Sequence, residues 1–81
     1  IGILNSTLVH PREVFQEAIK ESADSIILVH NHPRGSSNPS QQDIEVTKIL
    51  AESGKLLSIP VLDHIIIGRD SYYSFEERGK I

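Results

Sequence analysis

His30, His32 and Asp43 fall within one stretch of this 81-residue chain, "HNHPRGSSNPSQQD", and all three are metal-ligand types. Two imidazoles and a carboxylate suit Zn2+, with water in the fourth position that an open catalytic site keeps. A water held there has its pKa lowered toward neutrality and becomes a nucleophile. The same ligand set suits a non-haem Fe(II) triad, and spacing alone does not choose between the metals. A simpler reading stands beside both. "SQQD" is a good capping box, with Ser40 as N-cap and Asp43 three residues on, and needs no metal. A pair of histidines at a strand end can equally bond to loop carbonyls. The letters "HNH" do not make an HNH nuclease, whose residues are dispersed over a ββα-metal fold.

The elements that must position these residues follow from periodicity. "SIILVH" is a short apolar run rich in β-branched residues, and reads as a buried strand ending at His30. If the extended backbone persists to His32, a period of two points both rings to the same side. Pro33 favours that geometry in the residue before it. Asn31 to Pro39 is a loop by composition. A helix then starts near Ser40, with Ile44, Thr47, Leu50 and Ala51 on one face and Gly54 as its natural stop. The three ligand types therefore converge at the C-terminal edge of a strand, where open α/β sheets gather ligands.

Upstream, "HPREVFQEAIKESA" reads as a helix with Pro11 at its first position and an apolar stripe of Val14, Phe15, Ala18 and Ile19. Asp24 and Ser25 mark its exit. Downstream, "IPVLDHIIIG" is a second buried strand, Arg69 to Ser71 a turn, and "SYYSF" the start of a short strand. "SFEERG" fits a helical turn or two, capped by Ser74 and stopped at Gly79. "IGILNST" reads as the end of a strand cut from something longer. The order is strand, helix, strand, helix, strand, strand, an α/β arrangement in one small domain.

Composition narrows the function classes. There is no cysteine, so no disulfide framework points to an oxidising compartment. No apolar run approaches the length of a membrane span. A net charge of −3 makes a poor generic binder of phosphate backbones. The expectation is a cytoplasmic domain without a membrane partner, with nucleic acid unsupported by charge.

The stretch His30-x-His32, ten residues, then Asp43, with Ser40 three before it, resembles the JAMM motif of MPN+ metalloprotease domains. More narrowly, "VHPREVFQEAI", "HNHP", "PSQQDIEVTKIL", "VLDHIIIG" and "SFEERGKI" together resemble the RadC family of bacterial JAMM-like proteins, in order and over essentially the whole chain. The resemblance implies the MPN α/β fold, similar to cytidine deaminases, with a mixed sheet flanked by helices. It implies that residues 1–81 are a partial MPN/JAMM domain, truncated at the N-terminus, in the C-terminal portion of a RadC-like protein. It implies one Zn2+ per chain on His30, His32 and Asp43, and Ser40 as the serine that polarises a scissile carbonyl and stabilises its oxyanion. The activity implied is that of a zinc metallopeptidase or isopeptidase acting on a peptide or isopeptide substrate. In JAMM enzymes a glutamate on an earlier strand is the general base. This chain begins too late to include it, so the 81 residues alone are expected to be inactive. Arg34 departs from the family pattern, which most often has a small residue there.

Two other function classes compete. RadC proteins carry a historical DNA-repair label, which implies a repair-associated protein without peptidase activity. A catalytically silent MPN module for protein contacts is the third. Among the remaining residues, Glu13, Glu17 and Glu21 lie on the first helix with no assigned role. His10 reads as a helix-start residue. His64 reads as a buried, paired histidine, with support of a metal ligand as its alternative role. Tyr72, Tyr73 and Phe75 read as core and strand residues.

Overall fold

A computed structural model describes residues 10–32 and 35–81. The strand expected in "IGILNST", together with Pro33 and Arg34, lies outside the described residues. The elements are α1 (Pro11–Lys20), β1 (Ile26–Asn31), α2 (Gln41–Leu57), β2 (Val61–Ile67) and β3 (Tyr72–Ser74). They form a mixed three-stranded sheet in the order β1-β2-β3, with β1 parallel to β2 and β2 antiparallel to β3. The parallel pair needs a crossover, and α2 is that crossover.

Along β1, Ile26, Leu28 and His30 alternate onto one buried face. Ile26 and Leu28 join Val14, Phe15 and Ala18 of α1, Leu50 of α2, Ile59 and Val61 in the main apolar core. A smaller cluster of Ile66, Tyr73 and Phe75 sits under β3. Tyr73 and Phe75 are thus core residues as expected, while Tyr72 is exposed and hydrogen-bonds to Glu77. Ile19, expected in the α1 stripe, is 58% exposed. It lies a further 100° or so round the helix from Ala18, at the edge of that stripe.

Both helix stops differ from the expected ones. α1 ends at Lys20, and Ser22 adopts the left-handed conformation (φ 54°). The Ala23 N–H then closes back onto the Ala18 carbonyl at 2.9 Å. α2 runs through Gly54 to Leu57, where Ser58 (φ 58°) takes the same role and the Ile59 N–H bonds to the Gly54 carbonyl at 2.8 Å. These are Schellman-type ends in which serine occupies the place glycine usually takes. Gly54 serves packing instead. A Cβ there would lie 2.5 Å from the Ile59 carbonyl oxygen, so only glycine lets α2 close onto the chain entering β2.

After β3, the segment from Phe75 to Gly79 forms a single turn. Ser74 Oγ accepts the Glu77 N–H, and the Arg78 N–H bonds to the Ser74 carbonyl. This matches one helical turn capped by Ser74.

Candidate metal centre

His30 is the last buried residue of β1, and the ladder to β2 continues past it. Asn31 pairs with Ile67, and the His32 N–H donates to the Ile67 carbonyl at 2.7 Å. The backbone is therefore still extended at His32, and both rings come to the same side. Their centroids are 4.5 Å apart, edge to face at 78°. Asn31, between them, is exposed.

Asp43 reaches the same place from the first turn of α2. Its Oδ1 lies 3.1 Å from His30 Nδ1, and its Oδ2 lies 3.7 Å from His32 Nε2. One ligand atom from each of His30, His32 and Asp43 lies within 4.8 Å of the others, so the three can hold a metal ion. The capping box expected from "SQQD" is present at the same residues. The Ser40 N–H donates to Asp43 Oδ2 at 2.8 Å, and the Asp43 N–H donates to Ser40 Oγ at 3.0 Å. Cap and ligand readings coexist: the cap fixes the rotamer that aims the carboxylate at the histidines.

The donor states suit a cation. Burial alone would raise the Asp43 pKa, but the Ser40 backbone N–H, the Ser40 side chain and the two histidines outweigh it, and the net shift is downward from 3.8. Asp43 is thus an anion at neutral pH. His32 Nδ1 lies 3.1 Å from the Ser36 carbonyl, which only accepts, so the proton sits on Nδ1 and the Nε2 lone pair is free. His30 Nε2 is buried and has no hydrogen-bond partner among the described residues. An unpaired imidazole nitrogen in a protein interior calls for an explanation, and an ion is one.

The loop carrying the site is strapped to the turn after β2. The Arg69 N–H donates to the Gly35 carbonyl at 3.1 Å, and Ser37 Oγ meets Ser71 Oγ at 2.8 Å. Gly68 permits that approach, because a Cβ there would lie 2.7 Å from the Ser37 nitrogen and 3.0 Å from the Gly35 oxygen. The sequence marks Gly68 only as the end of the second buried strand.

His64, on β2, is buried and paired as expected. Its Nδ1 meets Thr47 Oγ1 at 2.5 Å, and its ring stacks on Phe75 at 4.8 Å and 8°. Burial first, then the neighbouring His30, pull its pKa down to about 4, against the pull of Asp43 and Asp63 in the other direction. Asp63 was not singled out from the sequence. It accepts from the His64 N–H, the Glu76 N–H and Ser74 Oγ, tying β2 to the turn after β3. His10 is the N-cap residue of α1 and its side chain makes no cap bond. Glu13, Glu17 and Glu21 are exposed, and none belongs to the metal-binding group.

A family model described as the RadC-like JAB domain matches residues 1–80. The chain belongs to the RadC family. Its RadC relatives include UPF0758 proteins of Geobacillus sp. (strain WCH70), 58% identical over 81 residues, and of Alkaliphilus metalliredigens, 63% identical over 79 residues. The alignments cover 100% and 98% of this chain but 36% and 34% of those relatives. The UPF0758 protein of Bacillus licheniformis is 62% identical, with 98% of this chain and 35% of the relative covered. The chain thus spans about a third of the length of these curated RadC relatives. The mixed sheet and two helices are those of an MPN/JAB α/β fold. No helix among the described residues is long and apolar enough to cross a membrane.

Proposed function

We propose that this RadC-family chain is the ligand-bearing part of a zinc metallohydrolase that cleaves a peptide or isopeptide bond. In this reading residues 1–81 are a portion of a longer JAB domain, with one Zn2+ held by His30, His32 and Asp43. The observation that carries it is the convergence of an ionised buried carboxylate with two imidazoles, one of which has a buried nitrogen with no partner among the described residues. When bound, the ion supplies Lewis acidity toward an amide carbonyl and lowers the pKa of a water toward neutrality.

The chain's own residues supply the rest. Asp43 brings the negative charge that offsets the cation, in a rotamer fixed by the Ser40 N–H. Ser40 Oγ spends a lone pair on the Asp43 N–H, which leaves its own proton available. Ser40 is exposed, so its hydroxyl can donate a hydrogen bond to a substrate carbonyl oxygen as charge develops there. The general base that takes the proton of the water is assigned, on the family resemblance, to a glutamate on an earlier strand of the longer protein.

Elemental analysis of the full-length protein, prepared without chelator, tests the reading. The expected result is close to one zinc per chain, with most of it lost in His32→Ala. Protein that carries no metal would overturn it, and iron in place of zinc would redirect it to the two-histidine, one-carboxylate oxygenase class. Cleavage of peptide and isopeptide substrates by the zinc-loaded protein then tests the reaction.

A further inference from the structure

We propose that Thr47 and His64 are positioning residues for the metal centre, a buried relay that fixes the backbone of Asp43 from the side opposite its cap. The inference rests on reading His30, His32 and Asp43 as a metal site.

Asp43 is held at three points. Ser40 takes its N–H and restrains its carboxylate. The third point is its carbonyl, which accepts the hydroxyl proton of Thr47 at 2.7 Å. A helical threonine bonding back four residues is common and by itself says little. Here the same oxygen has a second partner. Having given its one proton to Asp43, Thr47 Oγ1 can only accept from His64 Nδ1. That fixes His64 as the Nδ1–H tautomer. Thr47 and His64 are both buried, 2% and 5% exposed, so neither has water as an easy substitute partner.

His64 is itself clamped. Its ring lies parallel to Phe75, and the Phe75 N–H donates to the His64 carbonyl at 3.0 Å. Asp63 holds the next residue, Glu76, through its N–H. Register explains the rest. His30 pairs with Ile66, so His64, two residues earlier, lies on the same face of the sheet, and its ring stacks at 6.0 Å and 18° on that of His30. One side chain therefore borders one ligand through its ring and reaches a second through Thr47. Loss of a group that orients a metal ligand in this way typically weakens metal binding by roughly 10–100-fold.

The test compares Zn2+ and Co2+ affinity, by chelator competition, in the full-length protein and its Thr47→Val, Thr47→Ala and Thr47→Ser variants. Valine keeps the shape and removes the hydroxyl. The Ala and Ser variants lose the same methyl and differ only in the hydroxyl, so they serve if Thr47→Val does not fold. Thr47→Val and Thr47→Ala are expected to bind roughly 10–100-fold more weakly, with altered Co2+ absorption bands, and Thr47→Ser to stay close to the parent. Leu50→Ala, on the same helix face, controls for stability: it should unfold more easily and bind metal as before. Parent-like affinity and spectrum in Thr47→Val, or an equal loss in Leu50→Ala, would overturn the inference. If the parent protein binds neither ion, the proposed function falls. The relay is then read by NMR in the metal-free protein. A single Asp43 χ1 rotamer is expected in the parent and Thr47→Ser, and averaging in Thr47→Val. One rotamer in all three overturns it.

Discussion

The buried stripe of α2 changes character half-way along. Towards the C-terminus it consists of Leu50 and Gly54, packed against the apolar core and the chain entering β2. Towards the N-terminus it consists of Asp43 and Thr47, facing His30 and His64. The first half is held by shape and by area removed from water, and accepts apolar replacements of similar volume. The second half is polar and buried, which is unfavourable unless every group finds its partner. One helix therefore separates two tasks along its length. The apolar half anchors the crossover, and the polar half spends stability on a fixed arrangement of ionisable groups.

The largest effects should divide along that line. Leu50 is fully buried, so Leu50→Ala should cost about 2–5 kcal/mol of stability and leave the metal content of the folded protein unchanged. Asp43→Asn should do the reverse. The amide oxygen can still accept the Ser40 N–H, so the fold should lose about 1 kcal/mol or less while metal binding falls steeply. Urea unfolding and elemental analysis on the same samples measure both. Metal loss in folded Leu50→Ala would show that the two halves are one cooperative unit.

A pH titration of the metal-free protein probes the polar half alone. The folded pKa of His64, about 4, lies below its ordinary 6.5. The unfolded chain therefore binds this proton first. The neutral ring costs nothing above pH 6.5, and stability falls as pH drops from 6.5 to about 4. For a buried group shifted this far the loss is on the order of 3 kcal/mol. The lowered pKa of Asp43 has the same sign and extends the fall below 3.8. His64→Phe should flatten the curve between pH 6.5 and 4 and leave the acid limb of Asp43. A curve unchanged by that substitution would place the sensitivity elsewhere.

The contrast also explains what could be read from the sequence. Burial was legible in both halves, because Thr47 and Leu50 share a helical face, and so was the convergence of His30, His32 and Asp43 at a strand end. The RadC resemblance rested on ordered motifs, and the family match bears it out. The partner of each buried polar group was not legible. Nothing in the spacing of Thr47 and His64, seventeen residues apart, says that they meet; the packing of α2 against β2 brings them together. The roles of Asp63 and Gly68 were hidden for the same reason: Asp63 meets Ser74 and Glu76 beyond the turn after β2, and Gly68 meets Gly35 and Ser37 of the loop before α2. The helix stops were hidden for a local one: the sequence offers Asp24 and Ser25 for the first helix and Gly54 for the second, whereas Ser22 and Ser58 adopt the left-handed conformation.

Ser40 sits where the two tasks touch, and substitutions there should have the smallest effect on the fold. Its side chain caps α2 by accepting the Asp43 N–H, so Ser40→Ala should cost about 1 kcal/mol. Ser40→Asp should be nearly neutral in stability, because aspartate caps as well as serine. If capping were the whole role, turnover per folded molecule would be unchanged in both variants. In the proposed reaction the serine hydroxyl donates a hydrogen bond to a carbonyl oxygen that is becoming negative. Ser40→Ala should then lower kcat by something on the order of 10²–10³. Ser40→Asp should lower it further, because it places a second negative charge where one is developing. Melting curves and single-substrate kinetics on the full-length protein separate the two contributions. An aspartate variant with parent turnover would leave Ser40 as a helix cap, its only duty being to hold the Asp43 carboxylate towards His30 and His32.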